Sequence, residues 1–181
     1  MPATRILVAG PPGVGKTTLV RRVLELLPGV RAAGFYTREV RAWSGRTGFR
    51  VIALDGRAGW LASVGGAGDA KVGRYGVHVA EFEAIALPAL QLRPNVDFLV
   101  VDEIGKMECL SPAFVAAARR VLAADVALLG TVAKAGGGFI AEAKRTPGVE
   151  LMELTMANRD EMPGLIAARL RSGALADWPE R

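Results

Sequence analysis

One stretch near the start of the chain constrains the fold more than any other: GPPGVGKTT, Gly10 to Thr18. It follows a short apolar strand, RILVA from Arg5 to Ala9, and opens a helix expected from Lys16 to about Leu27. Leu19, Val20, Val23, Leu24 and Leu27 lie on one face of that helix, and Pro28-Gly29 stops it. The spacing is Gly10, four residues, Gly15, Lys16, Thr17, the pattern of a phosphate-binding loop in the strand-to-helix context it requires. Glycines let backbone N–H groups turn inward around phosphate oxygens, and the helix N-terminus adds a positive dipole. Pro11 and Pro12 stiffen the loop and lower its ordering cost. Ala9, Gly10, Pro11, Pro12, Gly13, Val14, Gly15, Lys16, Thr17 and Thr18 are the expected nucleotide cradle. Lys16 is expected on the β- and γ-phosphates and the Thr17 hydroxyl on Mg²⁺.

The loop names a nucleoside triphosphate and leaves its fate open. A second stretch, LVVDEIGKMECL from Leu99 to Leu110, narrows it. Asp97 to Val101 reads as a strand buried on both faces, and Asp102 at its end is the expected Mg²⁺ carboxylate. Glu103 beside it is the candidate general base, or else a salt-bridge partner at the strand end. Strand alternation points neighbours to opposite sides. The strand is therefore expected to end at these residues, with Gly105 opening a loop, so that both acids face the phosphates. Lys106 either neutralises charge developing on the γ-phosphate or pairs with Glu108.

The rest of the chain supplies the frame. GFYTREVRA and FRVIAL read as an antiparallel hairpin, inserted over about 34–80. Residues 57–74 are glycine-rich and read as turns with a short strand, and YGVHV as one more strand. Glu81 to Leu92 reads as a helix broken or kinked by Pro88. Ser111 caps a helix with Pro112 at its first position, running to about Ala124. VALLGT and VELMEL are strands, a short helix lies near Ile140 to Arg145, and the last helix spans Asp160 to Arg171. Alternating strands and helices predict a doubly wound, mainly parallel α/β sheet. One domain over 1–172 is expected, with a loose tail at 173–181.

Composition closes other routes. No apolar run reaches the ~18 residues of a membrane span, and the N-terminus lacks a signal-peptide pattern. Of the 181 residues, one is a cysteine, Cys109, which fits a reducing cytoplasm. It reads as a small apolar side chain rather than a nucleophile, since the sole histidine, His78, has no evident reason to sit near it. The 23 basic residues exceed the 18 acidic ones, but they are scattered along the sequence and aromatics are few. A dedicated nucleic-acid surface is not expected on that ground, and a monomer is favoured.

The motifs GPPGVGKTT, GFYTREVR, GFRV, VGRYGV, FEAIALPAL, VVDEIGKME, LGT and NRD occur in this order. Together they resemble the small P-loop nucleoside-triphosphatases first characterised in thermophiles, whose human member is the cancer-related nucleoside-triphosphatase. The resemblance spans about Arg5 to Leu170, and DEIGKME beside GFYT carries it most specifically. It implies Mg²⁺-dependent hydrolysis of several nucleoside triphosphates, on a P-loop fold of the additional-strand, catalytic-glutamate type. It carries over Gly10, Gly13, Gly15, Lys16 and Thr17 to binding, Asp102 to the metal and Glu103 to the base. Asn158-Arg159 match a late Asn-Arg pair that by position lies near base or ribose. Arg145 is the candidate for a lid arginine in the departing 134–145 segment, or else a solvated helix-end residue. The other reading is a small-molecule, nucleoside or nucleic-acid-end kinase, for which no acceptor signature is visible. A guanine switch is disfavoured because NRDE replaces the Asn-Lys-x-Asp it needs.

Overall fold

The computed structural model describes residues 2–43 and 45–174. Among them the strands β1 (Arg5–Gly10), β2 (Ala32–Ala42), β3 (Gly45–Ala53), β4 (Ala58–Val64), β5 (Ala70–Val72), β6 (Tyr75–Val77), β7 (Phe98–Ile104), β8 (Ala127–Ala133) and β9 (Glu150–Glu153) form one sheet. The helices are α1 (Lys16–Glu25), α2 (Val79–Ala89), α3 (Pro112–Ala123), α4 (Phe139–Ala143) and α5 (Met162–Ala174). The sheet order is β5-β6-β4-β3-β2-β7-β8-β1-β9. From β2 to β9 all pairings are parallel. From β5 to β2 all are antiparallel. The result is the expected doubly wound α/β sheet with an antiparallel wing.

The parallel strands bury both faces, as their unbroken apolar runs require. Along β1, Leu7 and Ala9 join a core with α2, α3 and α4, while Ile6 and Val8 join a second core with α1 and α5. Phe35, Phe82 and Phe114 meet edge to face in the first core, with centroids 5.2 to 5.9 Å apart. Truncating one of these rings costs about 3–5 kcal/mol. α3 starts as its sequence dictates: Ser111 Oγ accepts from the Phe114 amide at 2.9 Å, and Pro112 occupies the first turn.

Several boundaries differ from expectation. β4 is a full seven-residue strand inside the glycine-rich stretch. Its order comes from pairing with β3 and β6, which buries Leu61 and Ala62; AGWLASV is mostly apolar but does not alternate with polar residues, so its full length is not marked by period. α2 begins at Val79, and Pro88 falls in its last turn, so the proline ends the helix rather than kinking it. α1 stops at Glu25. α5 runs through Ala174, so the expected tail is helical at 173 and 174, and the rest of it, 175–181, lies outside the described residues. Among the described residues no helix is long and apolar enough to cross a membrane.

Candidate active site

The parallel strands end together, and the chemistry-bearing residues collect there. β8 lies between β1 and β7, so the phosphate loop after β1 faces the acids of β7 across one interposed strand. The loop turns through Gly13 and Gly15, at φ 79° and 110°, where a side chain would be strained. Pro11, Pro12, Gly13 and Thr18 are exposed, and Ala9 and Val14 are buried beneath them. Lys16, only 7 % exposed, folds back over the loop. Its Nζ donates to the carbonyls of Gly10 at 2.8 Å and Pro11 at 3.2 Å, and stands 3.4 Å from Oε2 of Glu103.

Asp102 is fully buried. Its Oδ2 accepts from Thr17 Oγ1 at 2.7 Å and from the Thr37 amide at 3.3 Å. Its Oδ1 accepts from Thr131 Oγ1 at 2.5 Å. Burial pushes its carboxyl above the usual aspartate range, and these donors, with Lys16, pull the other way. Thr131 sits in the LGT run of β8, which sequence reading quoted without giving it a role. A lone hydroxyl at the end of a buried strand is its only signal.

β7 does not end at the acids, as the sequence led us to expect; it continues to Ile104. Its pairing with β8 breaks between Val101 and Ile104, and the Asp102–Glu103 peptide bond is cis. Both acids reach the phosphate loop, Asp102 through Thr17 and Glu103 through Lys16. The Glu103 side chain keeps a quarter of its surface exposed. Burial raises its pKa, the Lys16 charge opposes that, and the Asp102 charge adds to it. A carboxylate with raised pKa and solvent access is equipped to take a proton from water.

Glu108 lies in a 3₁₀ turn, Glu108–Leu110, and is buried. A Cβ on Gly105 would come 2.8 Å from Glu108 Oε2 and 3.2 Å from Glu103 Oε1. The glycine is therefore flanked by two carboxyls, and the fold needs its missing side chain. Desolvation pushes Glu108 up to about 8, with the Glu103 charge next in size. Burial and Glu108 together push the Cys109 thiol up to about 12, which disqualifies it as a nucleophile at neutral pH. Lys106 is exposed and makes no ion pair among the described residues.

The loop after β9 runs beside the phosphate loop, where the Leu154 amide donates to the Ala9 carbonyl at 2.8 Å. Asn158 holds this loop together: Nδ2 donates to the Glu153 carbonyl at 2.9 Å, and Oδ1 accepts from the Thr155 amide at 2.8 Å. Arg159 is exposed beside it. Arg145 is exposed at the end of α4. On the other side, β2 pairs with β7 only through Phe35↔Val101 and then runs on with β3 to Ala42. The hairpin thus projects past the strand ends that carry the acids.

The donors available for a metal are a hydroxyl and a carboxylate, Thr17 and Asp102. Hard oxygen donors, few in number, fit Mg²⁺, which keeps several waters and shares the rest with phosphates. Among the described residues no three His, Cys, Asp or Glu side chains cluster as an all-protein metal cage.

A family model described as NTPase matches residues 5–167. The chain is 39 % identical to nucleoside-triphosphatase THEP1 of Thermofilum pendens, covering 95 % of this chain and 98 % of that protein. It is 38 % identical to the human cancer-related nucleoside-triphosphatase, covering 88 % and 93 % respectively. The crystal structure of THEP1 from Aquifex aeolicus superposes with a TM-score of 0.83 at 37 % identity, over 92 % of this chain and 99 % of that one. With the fold and nearly the full length in agreement, the chain belongs to the family of THEP1 and cancer-related nucleoside-triphosphatases.

Proposed function

We propose that the chain is a cytoplasmic, Mg²⁺-dependent nucleoside-triphosphate phosphohydrolase, converting NTP and water to NDP and phosphate with broad base tolerance. The supporting observation is the convergence of two pairs, Thr17–Asp102 at 2.7 Å and Lys16–Glu103 at 3.4 Å, at one end of the sheet. Backbone amides from Gly13 to Thr17 bind the β- and γ-phosphates at the α1 N-terminus. Thr17 and Asp102 hold Mg²⁺. When bound, the ion supplies neutralisation of charge on the phosphoryl oxygens. Lys16 exchanges its carbonyl partners for phosphate oxygens, which releases Glu103 from its ion pair. Glu103 then takes the proton of a water aligned with the γ-phosphorus. Lys106, exposed past β7, is the candidate for neutralising charge that develops on the γ-phosphoryl oxygens. Arg159 reaches toward base or ribose. Asn158 has committed its amide to the loop, which leaves little for reading a base edge and supports broad tolerance.

Phosphate release from the full chain, with Mg²⁺, each NTP and no acceptor, tests this. Hydrolysis that Glu103→Gln abolishes while nucleotide binding persists supports it. No phosphate release until a nucleoside or an RNA 5′ end is added would make the chain a kinase and overturn the proposal.

A further inference from the structure

The basic residues that look scattered in the sequence are gathered by the register of the hairpin. In β2–β3, Arg38 stands directly opposite Arg50, and Arg50 opposite Trp60 on β4. Alternation places Phe35 and Val51 in the core under α2, while Ala32 and Leu54 pack toward α1. Arg38, Arg50 and Trp60 thus share the α1 side of the sheet, beyond the strand ends that carry Asp102 and Glu103. The other hairpin arginines are ion-paired: Arg41 and Arg46 share Glu39, the hairpin's only acid. Among the described residues, neither Arg38 nor Arg50 has a carboxylate in ion-pair reach. Like charges directly opposite each other destabilise a sheet, so this pair costs the fold something without a partner.

Two more features fit a ligand. The Arg50 guanidinium lies over the Trp60 ring, 5.7 Å from its centroid, and its buried Nε has no hydrogen-bond partner. A Cβ on Gly48 would come 2.9 Å from the Trp60 ring and 2.4 Å from the Ala62 carbonyl, so the glycine makes room for the indole against the sheet. Trp60 remains half-exposed. At the hairpin tip Trp43 is fully exposed. Two cations with no acid, in a row with a half-exposed indole, match the chemistry of a single nucleic-acid strand, which offers one phosphate and one stacking base per nucleotide.

We propose that the α1-side face of the β2–β3–β4 wing is a docking surface for single-stranded nucleic acid, with a phosphate across Arg38 and Arg50 and a base on Trp60. The surface stands on its own: it needs neither hydrolysis nor an occupied phosphate loop.

Fluorescence anisotropy of a labelled oligothymidylate of about 12 nucleotides, titrated with the full chain, tests it. The expected result is binding that weakens as salt rises from about 50 to 200 mM. Arg50→Gln should weaken binding about ten-fold and flatten the log–log salt slope by about 0.7. Trp60→Leu should weaken oligothymidylate about ten-fold and leave an abasic strand of the same length unchanged. Arg57→Gln, whose arginine already pairs with Asp55, should bind like the wild type. Arg38 is exposed, so Arg38→Gln keeps the test valid if Arg50→Gln does not fold by its melting transition. No binding at the lower salt, or equal binding by wild type, Arg38→Gln, Arg50→Gln and Trp60→Leu, overturns the proposal. So does capture of phosphatidylserine vesicles, lost in the same variants, with no strand binding.

Discussion

The Thr17 hydroxyl donates a 2.7 Å hydrogen bond to Oδ2 of Asp102 across 85 positions of sequence. The two residues sit on different elements, the first turn of α1 and the end of β7, and their contact joins the phosphate loop to the acid strand. Asp102→Asn keeps the shape and removes the charge proposed to hold Mg²⁺. Turnover should fall about a hundred-fold or more. Titrating Mg²⁺ against the rate should show a raised half-saturation concentration.

Thr131 holds the opposite oxygen of the same carboxylate from β8. Thr131→Val preserves volume and removes the donor. A buried acceptor that loses a partner costs about 1–3 kcal/mol, so denaturant midpoints should drop accordingly. Mg²⁺ affinity should also weaken about ten-fold, because Thr131 orients Asp102. Unchanged stability together with unchanged Mg²⁺ dependence would refute this role.

Burial raises the Glu103 pKa above the ordinary glutamate range. In the proposed role of base it acts deprotonated, so the hydrolysis rate should rise with pH through a limb displaced upward from that range. The limb should be absent from the residual activity of Glu103→Gln. Its persistence there would assign it to another group.

Gly105 separates the carboxyls of Glu103 and Glu108, and a methyl group there would press on both. Gly105→Ala should lower kcat about ten-fold or more by displacing the base from its in-line position. Nucleotide affinity, set mainly by the phosphate loop, should change less than three-fold on the same order-of-magnitude reasoning. Equal losses in both would mean a general collapse of the site.

Glu108 is held near 8 in the folded chain, well above the glutamate value of an unfolded one. The folded state therefore keeps a proton that the unfolded state releases. Its contribution to stability is full below the unfolded pKa and is lost as pH rises toward about 8. Glu108→Gln removes this dependence. The melting temperature of the variant should exceed that of the wild type by a margin that grows from pH 5 to pH 8, reaching about 4 °C or more. A constant margin would show that Glu108 does not titrate in this window.

Much of the site was legible in the sequence because it is local. Gly10 to Thr18 specify a loop by glycine placement and helix start within nine consecutive residues. Leu99 to Val101 specify a buried strand running into two acids by uninterrupted hydrophobicity before them. Ser111-Pro112 announce a helix by capping chemistry alone. Failures came where order depends on a neighbour. A short strand was expected somewhere in 57–74, but the seven-residue length of β4 comes from its pairing with β3 and β6. Glu103 reaches Lys16 as expected, but through a broken register with β8 rather than through an end of the strand, since β7 continues to Ile104.

The sequence by itself determined which groups are on offer: a glycine-rich loop at a helix start, a hydroxyl behind its lysine, and two adjacent carboxylates after a buried strand. Those follow from residue type and short-range spacing, which the backbone enforces within a turn or a strand. Only the tertiary structure decided which groups act together. Thr131 on Asp102, Glu108 beside Glu103, and Arg38 opposite Arg50 are contacts between segments 5 to 29 residues apart. Sheet register and burial bring such groups together, and these are set by packing of the whole core rather than by any local pattern.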